Sequence, residues 1–164
     1  MKQGMIQIYS GEGHGKSSAA LGRAIKAASQ GDNVVIIQFL KGLDANPFIK
    51  RLEPEIKFFN FEKSASDFND LSEEEKKVEI QNIHNGLNFA KKVLTTEGCD
   101  MLILDEVLGL VDNKIITDSE LKCIIASKPE NVTLILTGIR LSMDTCVIAD
   151  EVSKIETVKF KVYE

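Results

Sequence analysis

The chain has 164 residues, 43% hydrophobic and 27% charged, with 11 glycines and 3 prolines. Those proportions exclude collagen-like, disordered and disulfide-scaffold classes and suit one ordinary globular domain over residues 1–164. A net charge of −5 speaks against a nonspecific nucleic-acid binder, and no stretch approaches the roughly 20 apolar residues of a membrane span.

In chain order, a short apolar run (Met5, Ile6, Ile8, Tyr9) predicts a strand that ends at the Gly-rich stretch Ser10–Gly15. Lys16–Gln30 then reads as a helix of small residues closed by Gly31. The β-branched run Val34–Leu40 reads as a strand buried on both faces of a parallel sheet. Lys41–Arg51 is expected to be loop, and Ile56–Phe61 a weaker strand. Ser72 with Glu75 three residues later forms a capping box that opens a helix. Its apolar stripe, Val78 through Leu94, continues to Gly98. Asp100–Glu106 predicts a second buried strand ending in two acids, followed by a polar loop. A short helix near 119–126, a strand over 132–137, a helix near 142–149 and a last strand around 152–160 complete the order. Alternating strands and helices predict an α/β domain with right-handed crossovers and a mainly parallel sheet. No apolar leader follows Met1. Cys99, Cys123 and Cys146 are odd in number and widely spaced, which predicts reduced thiols in a cytoplasmic protein.

The strongest chemical signal is Gly11–Glu12–Gly13–His14–Gly15–Lys16–Ser17–Ser18, set between a strand and a helix. Glycines let the backbone turn its N–H groups inward as an anion nest, and the helix adds its positive end. Lys16 is placed to neutralise phosphate and Ser17 to ligate Mg²⁺. The spacing is a shortened Walker A variant, because Ser10 stands where the first glycine of the strict motif would be. The second signal is Asp105–Glu106 at the carboxyl end of an apolar strand, the edge where open α/β sheets bind ligands. Two acids there suit Mg²⁺ held against a triphosphate. Arg140, after another buried strand, is a candidate phosphate contact or an exposed loop arginine, and Gln38 and Lys41 are further pocket candidates. Two well-separated histidines, with no H-E-x-x-H and no G-x-S-x-G, argue against zinc and common serine hydrolases.

Four blocks resemble those of the ATP:corrinoid adenosyltransferases of the CobA/CobO/BtuR type. They are Tyr9–Gly22, Gln38–Gly42 (QFLKG), Leu102–Glu106 (LILDE) and Leu136–Gly138 with Ala149–Ile155. The resemblance implies a RecA-like P-loop fold, a homodimer, and ATP, Mg²⁺ and a reduced corrinoid as reaction partners, with a flavoprotein reductase as a possible source of electrons. It implies transfer of the 5′-deoxyadenosyl group to Co(I) with release of triphosphate, the nucleotide lying reversed relative to ordinary P-loop ATPases. Carried over, Gly11, Gly13, Gly15, Lys16, Ser17 and Ser18 match the triphosphate loop, with Glu12 and His14 between them. Ser17 and Glu106 match the Mg²⁺ and nucleotide positions, and Lys26 falls where many members carry an arginine near the nucleotide. Lys16 and Glu106 are thus the expected catalytic groups. His14 stands in place of a lysine and Ile139 in place of an arginine. A non-catalytic ATP-binding relative and a small P-loop kinase or ATPase are the alternative functions.

Overall fold

The computed structural model describes residues 2–40 and 47–163. Lys41, a pocket candidate, and Gly42 of the QFLKG block lie outside the described residues. Six strands form one sheet: β1 (Ile6–Ser10), β2 (Val34–Gln38), β3 (Ile56–Asn60), β4 (Met101–Asp105), β5 (Thr133–Gly138) and β6 (Glu151–Lys154). Their order is β3–β2–β4–β5–β1–β6, and every neighbouring pair runs parallel. Parallel pairing forces each connection back across a face of the sheet. The crossover helices are α1 (Lys16–Ser29), α2 (Glu73–Thr95), α3 (Val107–Asp112), α4 (Asp118–Ala126) and α5 (Met143–Ile148).

Each face of the sheet has its own core. On one, Ala20, Ala24 and Ala27 of α1 pack against Tyr9, Ile36, Ile103 and Ile135. Alanines four and three residues apart line one side of the helix, and their small size seats its backbone close to the sheet. On the other face, Ile83, Leu87 and Leu94 of α2 and Leu121 and Ile125 of α4 cover Ile8, Ile37, Leu104 and Leu136. Strands buried on both faces explain why β2, β4 and β5 read as continuous apolar runs.

Most predicted elements are present, with the Ser72–Glu75 capping box closing at α2 through both of its hydrogen bonds. Two differ. The polar loop expected after Glu106 begins instead with α3, whose Val107, Leu108, Gly109 and Leu110 are all buried. Six residues are too few to show a helical period, and burial rather than propensity holds them helical. The last strand stops at Lys154 instead of running to Phe160, because the following residues leave the sheet and lie across the Gly-rich loop.

Candidate nucleotide site

Strand order determines where the chemistry collects. β5 separates β1, which leads into the Gly-rich loop, from β4, which ends in the acids. Strands stand about 4.8 Å apart, so the loop strand and the acid strand are roughly 10 Å apart at the carboxyl edge. Thr137 of β5 fills that interval. It pairs with Tyr9 and lies one residue beyond the Leu104–Leu136 pair, so it shares a cross-sheet row with Asp105. Its hydroxyl donates to Asp105 Oδ1 at 2.7 Å and accepts the Glu106 N–H at 2.8 Å. Ser17 Oγ donates to the same Asp105 oxygen at 2.9 Å. Asp105 is 3% exposed, a buried carboxylate held by two hydroxyls from two elements. The loop–helix junction and the acid strand are thereby tied to one oxygen.

The loop itself takes its shape from glycine. Gly11 (φ 119°) and Gly15 (φ 106°) adopt left-handed backbone that side chains disfavour. Gly15 is also the N-cap of α1, which starts without a side-chain cap. Its first-turn N–H groups therefore point along the axis with no acceptor from the cap residue, the arrangement that binds anions. Lys16 Nζ donates to the Gly13 carbonyl at 2.8 Å, which keeps the cation over the loop. Glu12, Gly13, His14, Gly15, Lys16, Ser17, Ser18 and Glu106 together line an open depression of about 200 Å³. Behind Ser17 and Ser18 a second, mostly apolar cleft of about 180 Å³ runs between Leu21, Ile36, Gln38, Ile49, Phe58 and Asp105.

Glu106 reaches the depression from a strained backbone. Its φ of 62° and ψ of 18° place a non-glycine residue in the left-handed region as the N-cap of α3. Such a conformation costs roughly 1–2 kcal/mol and persists when surrounding contacts impose it. The donor set suits Mg²⁺, namely the Ser17 hydroxyl with the Asp105 and Glu106 carboxylates, all hard oxygens. Among the described residues no group of three or more His, Cys, Asp or Glu could hold a metal alone. An ion here would therefore need phosphate oxygens as well, as is usual for Mg²⁺ with a bound nucleotide.

Two predicted site residues fall elsewhere. Lys26 lies near the far end of α1 and lines a separate depression with Arg23, Met101 and Thr133, at the amino edge of the sheet. Arg140 is exposed and borders a hollow with Leu108, Asp112 and Asp118, near enough to draw down the Asp112 carboxyl, which burial raises. Thr137 falls inside the Leu136–Gly138 block, which assigns it no role, and the structure sets its hydroxyl between Asp105 and the Glu106 N–H. Gln38 does line the apolar cleft.

Two further acids are buried beside the site. Glu62, 6% exposed, accepts the N–H of Leu40 at 2.7 Å, and Leu40 itself has a φ of 56°. Burial pushes the Glu62 carboxyl from 4.5 up to about 7, the Leu40 N–H draws it down, and the nearby Glu79 charge raises it. Glu79, 5% exposed, accepts the Lys63 N–H and the Asn82 side-chain amide. Burial likewise pushes the Cys99 thiol up to about 12, so it is an inert core thiol.

Sheet order and Gly-rich loop together define a RecA-like P-loop α/β fold. Among solved structures, the fold matches a KaiC-like protein of Pyrococcus horikoshii OT3 with TM-score 0.60 at 18% identity, covering 97% of this chain and 76% of that one. It also matches the flagellar accessory protein FlaH of Methanocaldococcus jannaschii, with TM-score 0.60 at 17% identity, covering 98% and 75%. Residues 2–164 match the family model CobA/CobO/BtuR, described as ATP:corrinoid adenosyltransferase BtuR/CobO/CobP. The chain is 28% identical to a corrinoid adenosyltransferase of Escherichia coli K12 and 29% identical to the corrinoid adenosyltransferase CobA of Salmonella typhimurium LT2. Each match covers 96% of this chain and 79% of the relative. The chain belongs to the ATP:corrinoid adenosyltransferase family.

Proposed function

We propose that this chain is a transferase that moves the 5′-deoxyadenosyl group of ATP to the cobalt of a reduced corrinoid and releases triphosphate. The observation that carries the reading is the family match over residues 2–164, which favours transfer over a non-catalytic relative or a P-loop kinase. In the step, the Co(I) electron pair forms a bond to C5′ while the C5′–O bond breaks, and its electrons leave on the triphosphate. The nucleophile is the corrinoid's own, so the protein needs no nucleophilic side chain. Its task is to orient C5′ and to stabilise charge growing on the leaving group.

Lys16 and the amides at the start of α1 take the triphosphate. Asp105, oriented by Ser17 and Thr137, and Glu106 complete the polar side of the site. Ser17, Asp105 and Glu106 would hold Mg²⁺, which when bound adds positive charge against the departing phosphates. The apolar cleft beside Ser17 and Ser18 receives the nucleoside end, in keeping with a nucleotide laid in reverse. Its 180 Å³ is too little for a corrin, which sits outside. No helix among the described residues is long and apolar enough to cross a membrane, and a cytoplasmic, homodimeric enzyme built as a single nucleotide-binding unit, with a separate reductase supplying Co(I), completes the reading.

The test is anaerobic. Protein, MgATP and chemically reduced cob(I)alamin should yield a light-sensitive Co–C species with one triphosphate per turnover. ADP with phosphate, or ATP binding without either product, would overturn the assignment. Lys16→Ala should abolish turnover and weaken MgATP binding by at least tenfold, the scale of a lost charge-assisted contact.

A further inference from the structure

The residues that follow β6 turn back over the Gly-rich loop and bond to its backbone from outside the depression. Ile155 returns its N–H to the Ser10 carbonyl at 2.7 Å, and its own carbonyl accepts the Gly13 N–H at 3.0 Å. Two residues on, the Thr157 hydroxyl accepts the His14 N–H at 2.9 Å. The His14 and Phe160 rings then meet edge to face, 5.1 Å between centroids. Nothing separates the two backbones. A Cβ on Gly11 would stand 2.3 Å from the Ile155 oxygen, and one on Gly13 would stand 2.6 Å from the same atom. Part of the loop's glycine content therefore answers to this segment rather than to phosphate.

Two of the loop's five amides between Gly11 and Gly15 are thus held by one short segment, and Gly11 N–H is held by the Ile139 carbonyl at 3.0 Å. A backbone pinned at three points has few ways to place its remaining donors. We propose that Ile155–Phe160 is a positioning strap for the phosphate loop, with Thr157 and Phe160 its anchoring side chains, so that seating of the strap and binding of the nucleotide's phosphates are coupled. This rests on the reading that the depression takes the triphosphate of ATP. Thr157 does not touch the reacting atoms; it acts through His14 and Gly13.

Coupling works in both directions, since any ligand that prefers the pinned loop must favour the seated strap by the same factor. Lys159 and Lys161 are exposed in the strap and just beyond it, which gives a direct probe of seating. Trypsin cleavage at these two lysines should be slowed several-fold by MgATP in the wild-type protein. Thr157→Val, which keeps the shape and removes the acceptor, should speed cleavage of the nucleotide-free protein. It should also raise the calorimetric Kd for MgATP about two- to fivefold, the scale of one solvent-exposed hydrogen bond. In turnover the same variant should raise KM for ATP and leave kcat within about twofold, and Thr157→Ser should restore all three readouts. Wild-type affinity for MgATP in Thr157→Val, or cleavage indifferent to bound MgATP, would overturn the strap. A wild-type protein that binds neither MgATP nor inorganic triphosphate would instead overturn the nucleotide reading, and the coupling with it.

Discussion

One carboxylate oxygen organises the site. Asp105 Oδ1 receives both the Ser17 and the Thr137 hydroxyls, and Thr137 passes the order on by accepting the Glu106 N–H. Thr137 is fully buried, so removing its hydroxyl takes one of two hydroxyl donors from Asp105 and one acceptor from the Glu106 N–H. Thr137→Val should cost about 1–3 kcal/mol in urea unfolding. It should also lower kcat more than a remote variant of equal stability, because Asp105 and Glu106 lose their alignment. Residues with a spacing signature were legible in the sequence: the Gly-rich loop, Lys16, Ser17 and the two acids. Thr137 was legible only as a member of the Leu136–Gly138 block, because its bonds to Asp105 and Glu106 depend on which strands are neighbours. Lys26, matched to a family position in the sequence, lines a depression separate from the Gly-rich loop. A match to a family position says nothing of height along a helix, and ten residues past Lys16 is roughly 15 Å toward the other edge of the sheet.

At the scale of elements, the strands and the two longer helices α1 and α2 were legible because burial of one face writes a period into the sequence and burial of both writes a continuous apolar run. The short helix α3 and the departure of the chain after Lys154 were not, since both are imposed by neighbours. The loop joining β3 to α2 carries a titratable tie of the same hidden kind. Glu62 holds the N–H of Leu40 just past β2, and burial raises its carboxyl from 4.5 to about 7. Between those two values the folded chain retains a proton that the unfolded chain releases. This contribution to stability is complete below about pH 4.5 and is lost as pH rises through 7. Glu62→Gln, which stays neutral, should remove that part of the slope. Melting at pH 5 and pH 8 should show the wild type losing more Tm over the interval than the variant. Equal losses would mean that Glu62 ionises freely in the fold.

For the whole molecule, the β3–β2–β4–β5–β1–β6 order brings the loop, the acids and the apolar cleft to one edge. Ligand binding at that edge draws on α1, β2, β3 and β4 together, so it should stabilise the fold as a unit. With MgATP at a hundred times its Kd, linkage gives about 2.7 kcal/mol. At this chain length that is a rise in Tm of about 5–11 °C. Chelating the magnesium with excess EDTA should remove most of the rise, and a rise untouched by EDTA would take the ion out of the ground-state complex. The fold class was readable from the alternation of strands and helices. The placement of β5 between loop and acids was not, because local periodicity carries no record of strand order.

Glu106 and its left-handed backbone set a limit on how this protein can be improved. Glycine at 106 would adopt φ 62° and ψ 18° without the steric penalty, at the cost of more backbone entropy lost on folding. Glu106→Gly should therefore leave melting temperature unchanged or raise it by a few degrees while turnover collapses, and parallel melting and activity assays would show the two moving apart. A library sorted for heat tolerance alone would drift toward glycine at this position, discarding function for durability. Any programme to harden the enzyme has to leave that one awkward residue as it is and look for its gains elsewhere.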